Sequence, residues 1–151
     1  MLGSGLRFSI SLPTEEPSES ELAGTAGLAA LLAAVPSALM TLGPGGVRQY
    51  VPILALIVLV TLGVFAWGVP SALNLYDESG PSVVAVALSG LGVMTLLLFW
   101  TGLPAVLATG GIVLGRTQLE FPEHRRLAMA AIRIGAAAIA LYLLLFISDL
   151  L

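Results

Sequence analysis

The chain has no cysteine, no lysine and a single histidine, His124. Without cysteine, disulfides, thiolate nucleophiles and thiolate-held metals are excluded. One histidine cannot build a metal centre without partners, and no metal or other cofactor is expected. All six basic residues are arginine, and with nine acids the net charge is -3. That balance offers no broad basic surface of the kind nucleic acid requires, so no nucleic-acid partner is expected. Charge of either sign is scarce: 10% of residues, against about 25% in an average globular protein. It is missing altogether from residues 79–115, which lie between Glu78 and Arg116.

What fills the uncharged stretch is apolar all round. Val83 to Leu88 and Met94 to Trp100 show neither a helical nor a strand-like polar face. Apolar runs beyond about 18 residues read as membrane spans, not as soluble core helices. This run is too long for one span. From Pro81 to Gly115 a continuous helix would measure roughly 52 Å at 1.5 Å per residue, against a hydrocarbon layer of about 30 Å. Tilt rarely exceeds about 40° and cannot absorb the difference. A bend is predicted at residues 101–104, where Gly102 and Pro104 sit beside Trp100. The remainder, 104–115, is too short to cross alone. It extends past the membrane, lies along the interface, or dips back beneath a bend at Gly110-Gly111.

The predicted fold is an all-α integral membrane protein. A polar acidic tail over 1–21 precedes one domain over 22–151, with four transmembrane helices in an antiparallel bundle. The spans fall at about 22–42, 50–73, 82–114 with its break, and 122–148. Ser18 and Glu21 fit a capping box at the start of the first span. Ala26, Ala30, Ala34 and Ala38 recur every fourth position along it, a stripe that lets helices approach closely in lipid. Pro36 is expected to kink it. Gly43 to Gln49 reads as a tight turn, and Asp77-Glu78 as an acidic one. Tyr76, Trp67, Trp100 and Tyr142 are placed at interfaces, where aromatic residues with a polar edge are enriched. Ala131, Gly135 and Ala138 give the last span a close-packing face. Gly111 and Gly115 form a GxxxG pattern, a weak signal in a chain with 17 glycines.

Four spans would put both termini on one side. Arg48, Arg116, Arg125 and Arg126 would then lie opposite Arg7, which by the positive-inside rule makes loops 43–49 and 115–126 cytoplasmic and both termini external. The expected location is the plasma membrane, multi-pass.

Chemistry is sparse. Arg133 is the one ionisable residue within a span, where an arginine costs roughly 2.5–3.5 kcal/mol at the helix centre and less near an end. Arg126 and Arg133, seven apart, share a helix face. Together with Arg116 and Arg125 they are candidates for contact with lipid phosphates or a partner. Thr61, Ser89, Thr95, Thr101 and Thr109 are expected to bond their own helix backbones. Glu120, Glu123 and His124 cluster in sequence, but Pro122 stands between them. No catalytic or cofactor-binding residue is assigned. The expected role is a non-enzymatic accessory or scaffold subunit of a membrane assembly, with the lipid bilayer, other membrane subunits or itself as partners. The alternative is a small homo-oligomeric transporter or channel.

Overall fold

A computed structural model describes residues 18–41, 46–74 and 80–150. The tail over 1–17 and the acidic turn with Tyr76 lie outside the described residues; of the turn predicted over 43–49, residues 43–45 lie outside them, while 46–49 form the first turn of a helix and not a tight turn.

Helix α1 (Glu19–Thr41) starts at the predicted capping box. The Glu21 amide donates to Ser18 Oγ at 3.2 Å, and the Ser18 amide donates to Glu21 Oε2 at 3.1 Å. Its buried stripe is Ala29, Ala33 and Ser37, one register away from the alanine stripe singled out in the sequence. Helix α2 (Gly46–Leu62), a π-helical turn (Gly63–Gly68) and α3 (Val69–Leu73) join into one rod. Helix α4 (Gly80–Met94) tightens into a 3₁₀ helix (Thr95–Thr101), followed by α5 (Leu103–Thr117) and α6 (Arg125–Leu150). Among the described residues there is no strand. Four stretches are long and apolar enough to cross a membrane, namely Glu19–Leu39, Tyr50–Leu73, Gly80–Thr101 and Arg125–Asp149. Helix α5 is shorter.

The predicted break is present, but it is a reversal and not a bend. Leu98 leaves helical geometry (φ −113°, ψ 37°), and Gly102 takes a left-handed conformation with φ 71°. Glycine is favoured there because it lacks the Cβ that makes this region costly. Beyond it α5 runs back along α4. A Cβ on Gly92 would meet Ala108, and one on Gly111 would meet Ala85 and Ser89. Next α6 runs back along α5, with Gly115 against Ala128 and Gly135 against Ala108. No bend occurs at Gly110-Gly111, which lie inside α5.

Helix α5 is the centre of the molecule. It packs against α4, α6, α1 and α2, and from Pro104 to Gly115 most of its residues are buried. The third and fourth predicted spans are therefore not antiparallel neighbours in a four-helix bundle. With α5 inserted between them, α4 and α6 run parallel. Both also run with α1: Tyr142 meets Leu32, while Trp100 and Gly102 meet Ser37 and Ala33. We call the end where α1 begins the near end and the other the far end. The chain from Arg116 to Arg126 then shares the near end with Glu19, whereas Arg48 and Asp149 belong to the far end. With five helices alternating in direction, the end of α6 lies opposite the start of α1, where four alternating helices would set them side by side.

Three prolines are accommodated locally. Pro36, inside α1, lacks the N–H that would bond the Leu32 carbonyl four residues earlier. Tyr142 Oη donates towards that carbonyl at 3.4 Å, and α1 continues through the proline. Pro104 stands in the first turn of α5, where no intrahelical bond is lost; the Trp100 carbonyl, left open where the 3₁₀ segment ends, accepts from Ser37 Oγ at 2.8 Å. Ahead of Pro70 the backbone widens into the π turn, where the Val69 amide reaches back five residues to Val64. Such local adjustments and borrowed hydroxyls are how membrane helices tolerate proline. Tyr142, 1% exposed, thus belongs to the interior and not to an interfacial belt. Trp67, at 75%, faces outward as expected.

Candidate functional site

Two places concentrate polar chemistry. The first is the reversal between α4 and α5. Here Gly102 presses on Ala33, and Ser37 Oγ lies 2.8 Å from the carbonyls of both Ala33 and Trp100. Thr101 Oγ1 donates to the Leu98 carbonyl at 2.6 Å, and the Gly102 amide donates to Phe99 at 3.1 Å. The reversal is therefore closed by the protein's own donors.

The hydroxyls along the helices sort into two groups. Thr61, Thr95, Thr101 and Thr109 bond carbonyls three or four residues back in their own segments, as expected. Ser89 does not: its Oγ donates to the Ala131 carbonyl at 2.8 Å and ties α4 to α6. Ser37 and Tyr142 likewise reach other helices. These three cross-links were not assigned in the sequence. A usable signal existed for one of them, since Pro36 inside α1 announces a carbonyl in need of a donor.

Ser82 Oγ is fully buried and has no hydrogen-bond partner among the described residues. Ser89→Ala is expected to lower stability by about 0.6–1.7 kcal/mol, the range of interhelical hydrogen bonds in membrane proteins. Ser82→Ala is expected to be neutral or mildly stabilising, because no bond is lost and a desolvated hydroxyl is removed. Unfolding of both variants in mixed detergent micelles checks the contrast. Equal losses would show that Ser82 has a partner.

The second place is the start of α6. Arg125, Arg126 and Arg133 line one concavity of about 470 Å³ with Pro122, Met129 and Ala130. These residues occupy the side of α6 opposite its packing face, which is formed by Ala128, Ala131, Gly135, Ala138 and Tyr142. Arg116, also a candidate, is exposed in the last turn of α5 and does not line the concavity. Among the described residues none of these arginines makes an ion pair. No group of three or more His, Asp or Glu converges among the described residues, and the backbone amide of His124 is engaged with the Phe121 carbonyl in the turn. A separate apolar groove of about 370 Å³ lies between α1 and α2 near Ala26, Phe65 and Pro70, with Glu19 at its near-end edge.

Comparison with protein families, with curated proteins and with solved structures finds no match to this chain.

Proposed function

We propose that the protein is a multi-pass membrane protein that acts as a non-enzymatic accessory or scaffold subunit of a larger membrane assembly. The observation carrying this reading is how the interior polar groups are used. Ser37, Ser89 and Tyr142 hold helices to one another, and the carbonyls of Leu32, freed by Pro36, and of Trp100, at the reversal, are capped within the chain. The outer faces are apolar, with Leu28, Leu31, Leu59 and Leu97 exposed. An interior consolidated in this way suits a rigid helical body that presents its perimeter to lipid and neighbouring helices. Extraction in mild detergent, followed by mass spectrometry of co-purifying proteins, tests the reading. Stoichiometric recovery with a membrane partner is expected, and a lone monomer under every mild condition would contradict it.

One observation favours the transporter alternative. Broken helices with irregular backbone inside a bundle often mark transport sites, and the Leu98–Gly102 segment is such a break. Against it, the Trp100 carbonyl is taken by Ser37 and is not left for an ion or substrate. Flux of protons, metal cations or organic cations through reconstituted vesicles would support the alternative.

We place the protein in the plasma membrane with its near end facing the cytoplasm. Three described arginines (Arg116, Arg125 and Arg126) lie at that end and one, Arg48, at the other; the positive-inside rule favours the richer end inside. In intact cells, Arg48→Cys is expected to react with an impermeant thiol reagent, and Glu120→Cys only after permeabilisation. The opposite pattern would invert the orientation.

A further inference from the structure

We propose that the outward face of α6 formed by Arg125, Arg126 and Arg133 is a binding site for the phosphate headgroup of an anionic phospholipid in the near-end leaflet. The inference rests on the membrane placement but not on the scaffold role.

Three observations converge. Arg133 lies eight residues into α6, about 12 Å along its axis, and the next charge along the helix is Asp149 near its other end. Side chains on a helix lean towards its N-terminus, and a long arginine stem reaches towards the headgroups while its methylenes stay in apolar surroundings. That carries the Arg133 guanidinium towards Arg126, two turns nearer the end. The three arginines line one concavity, so a single headgroup seated in it is within reach of more than one of them. None of them is neutralised by an acid among the described residues, and no acid lines the concavity.

The chemistry of the site selects phosphate. Guanidinium presents a planar fork of donors that pairs with two phosphate oxygens at once, and positive charge favours a lipid with net negative charge over a zwitterionic one. Met129 and Ala130, lying between the arginines, give an apolar floor against which the glycerol and upper acyl chain fit. Because this face points away from α5, nothing else in the described chain covers it. Arg116 is excluded by position, at the end of α5 and outside the concavity.

The experiment uses the full chain purified in mild detergent and exposed to phosphatidylglycerol and phosphatidylcholine in equal amounts, with retained lipids counted by native mass spectrometry. The wild-type protein is expected to retain phosphatidylglycerol preferentially. Each arginine near a membrane surface contributes about 1 kcal/mol towards anionic lipid, so Arg126→Gln with Arg133→Gln is expected to reduce that preference about 30-fold. Arg48→Gln and Arg116→Gln are expected to leave it unchanged. Arg133→Leu, which removes a charge from the span and keeps the helix foldable, is expected to reduce it about fivefold on its own. Helical circular dichroism and elution volume report whether each variant is folded. Equal retention of the two lipids by the wild type would overturn the assignment. So would an undiminished preference in a folded double variant, or loss of an acidic protein partner with lipid retention unaltered.

Discussion

Gly102→Ala is expected to cost the protein about 2–5 kcal/mol, enough to deplete the folded form in mild detergent. Two independent penalties add. At φ 71° an L-residue is left-handed, which costs roughly 1–2 kcal/mol. The new Cβ would also lie 2.6 Å from the Ala33 side chain and 2.8 Å from its carbonyl oxygen. The latter is backbone in the middle of α1 and cannot turn aside, and overpacking of this kind costs about 1–3 kcal/mol. Small membrane domains share the marginal stability of other proteins, about 5–15 kcal/mol, so the fraction lost is large. Gly24→Ala is the control: it lies on α1 with nothing within 4 Å of its Cβ, and is expected to be neutral or stabilising. Unfolding midpoints in graded denaturing detergent separate the two. A Gly102→Ala protein as stable as Gly24→Ala would remove the reversal from the fold.

The second large effect falls on Gly111→Val. Its Cβ would stand 2.8 Å from the Ala85 carbonyl oxygen and from the Ser89 amide nitrogen, and would collide with Ser89 Oγ. Helices α4 and α5 must then separate, and the Ser89 bond to Ala131 is lost as Oγ is displaced. Overpacking of about 1–3 kcal/mol and an interhelical bond of about 0.6–1.7 kcal/mol sum to a loss of about 2–5 kcal/mol. Because one hydroxyl enters both terms, Gly111→Val combined with Ser89→Ala is expected to cost less than the two single changes added together. Strict additivity would show that Gly111 and Ser89 do not meet.

Much of the architecture is legible in the residues. The capping box at Ser18 and Glu21, the packing face at Ala131, Gly135 and Ala138, and the break beside Pro104 each follow from local chemistry, and each is present. What local chemistry does not carry is the course of the chain after the break. A helix surrounded by other helices is as apolar as one facing lipid, so composition cannot distinguish 104–115 as a central helix from 104–115 as an excursion. Length reasoning misleads for the same reason: a helix enclosed by protein need not match the bilayer. Gly102 looks like any other glycine until its φ is known. The donors to the Trp100 carbonyl at the reversal and to the Leu32 carbonyl freed by Pro36 lie 63 and 110 residues away along the chain. The seven-residue spacing of Arg126 and Arg133 did announce a shared face, whereas Arg116 could not be separated from them before α5 was placed.

The position of α5 fixes which loops share a side, and sidedness labelling reads that directly. Single cysteines at Glu19, Arg48, Glu120 and Asp149 can be introduced one at a time, since the chain has none of its own. With α5 returning along α4, Glu19→Cys and Glu120→Cys are expected to react from one side of the membrane, and Arg48→Cys and Asp149→Cys from the other. Pairing of Glu19→Cys with Asp149→Cys, and of Arg48→Cys with Glu120→Cys, would mean that α5 does not return and that only four passes alternate.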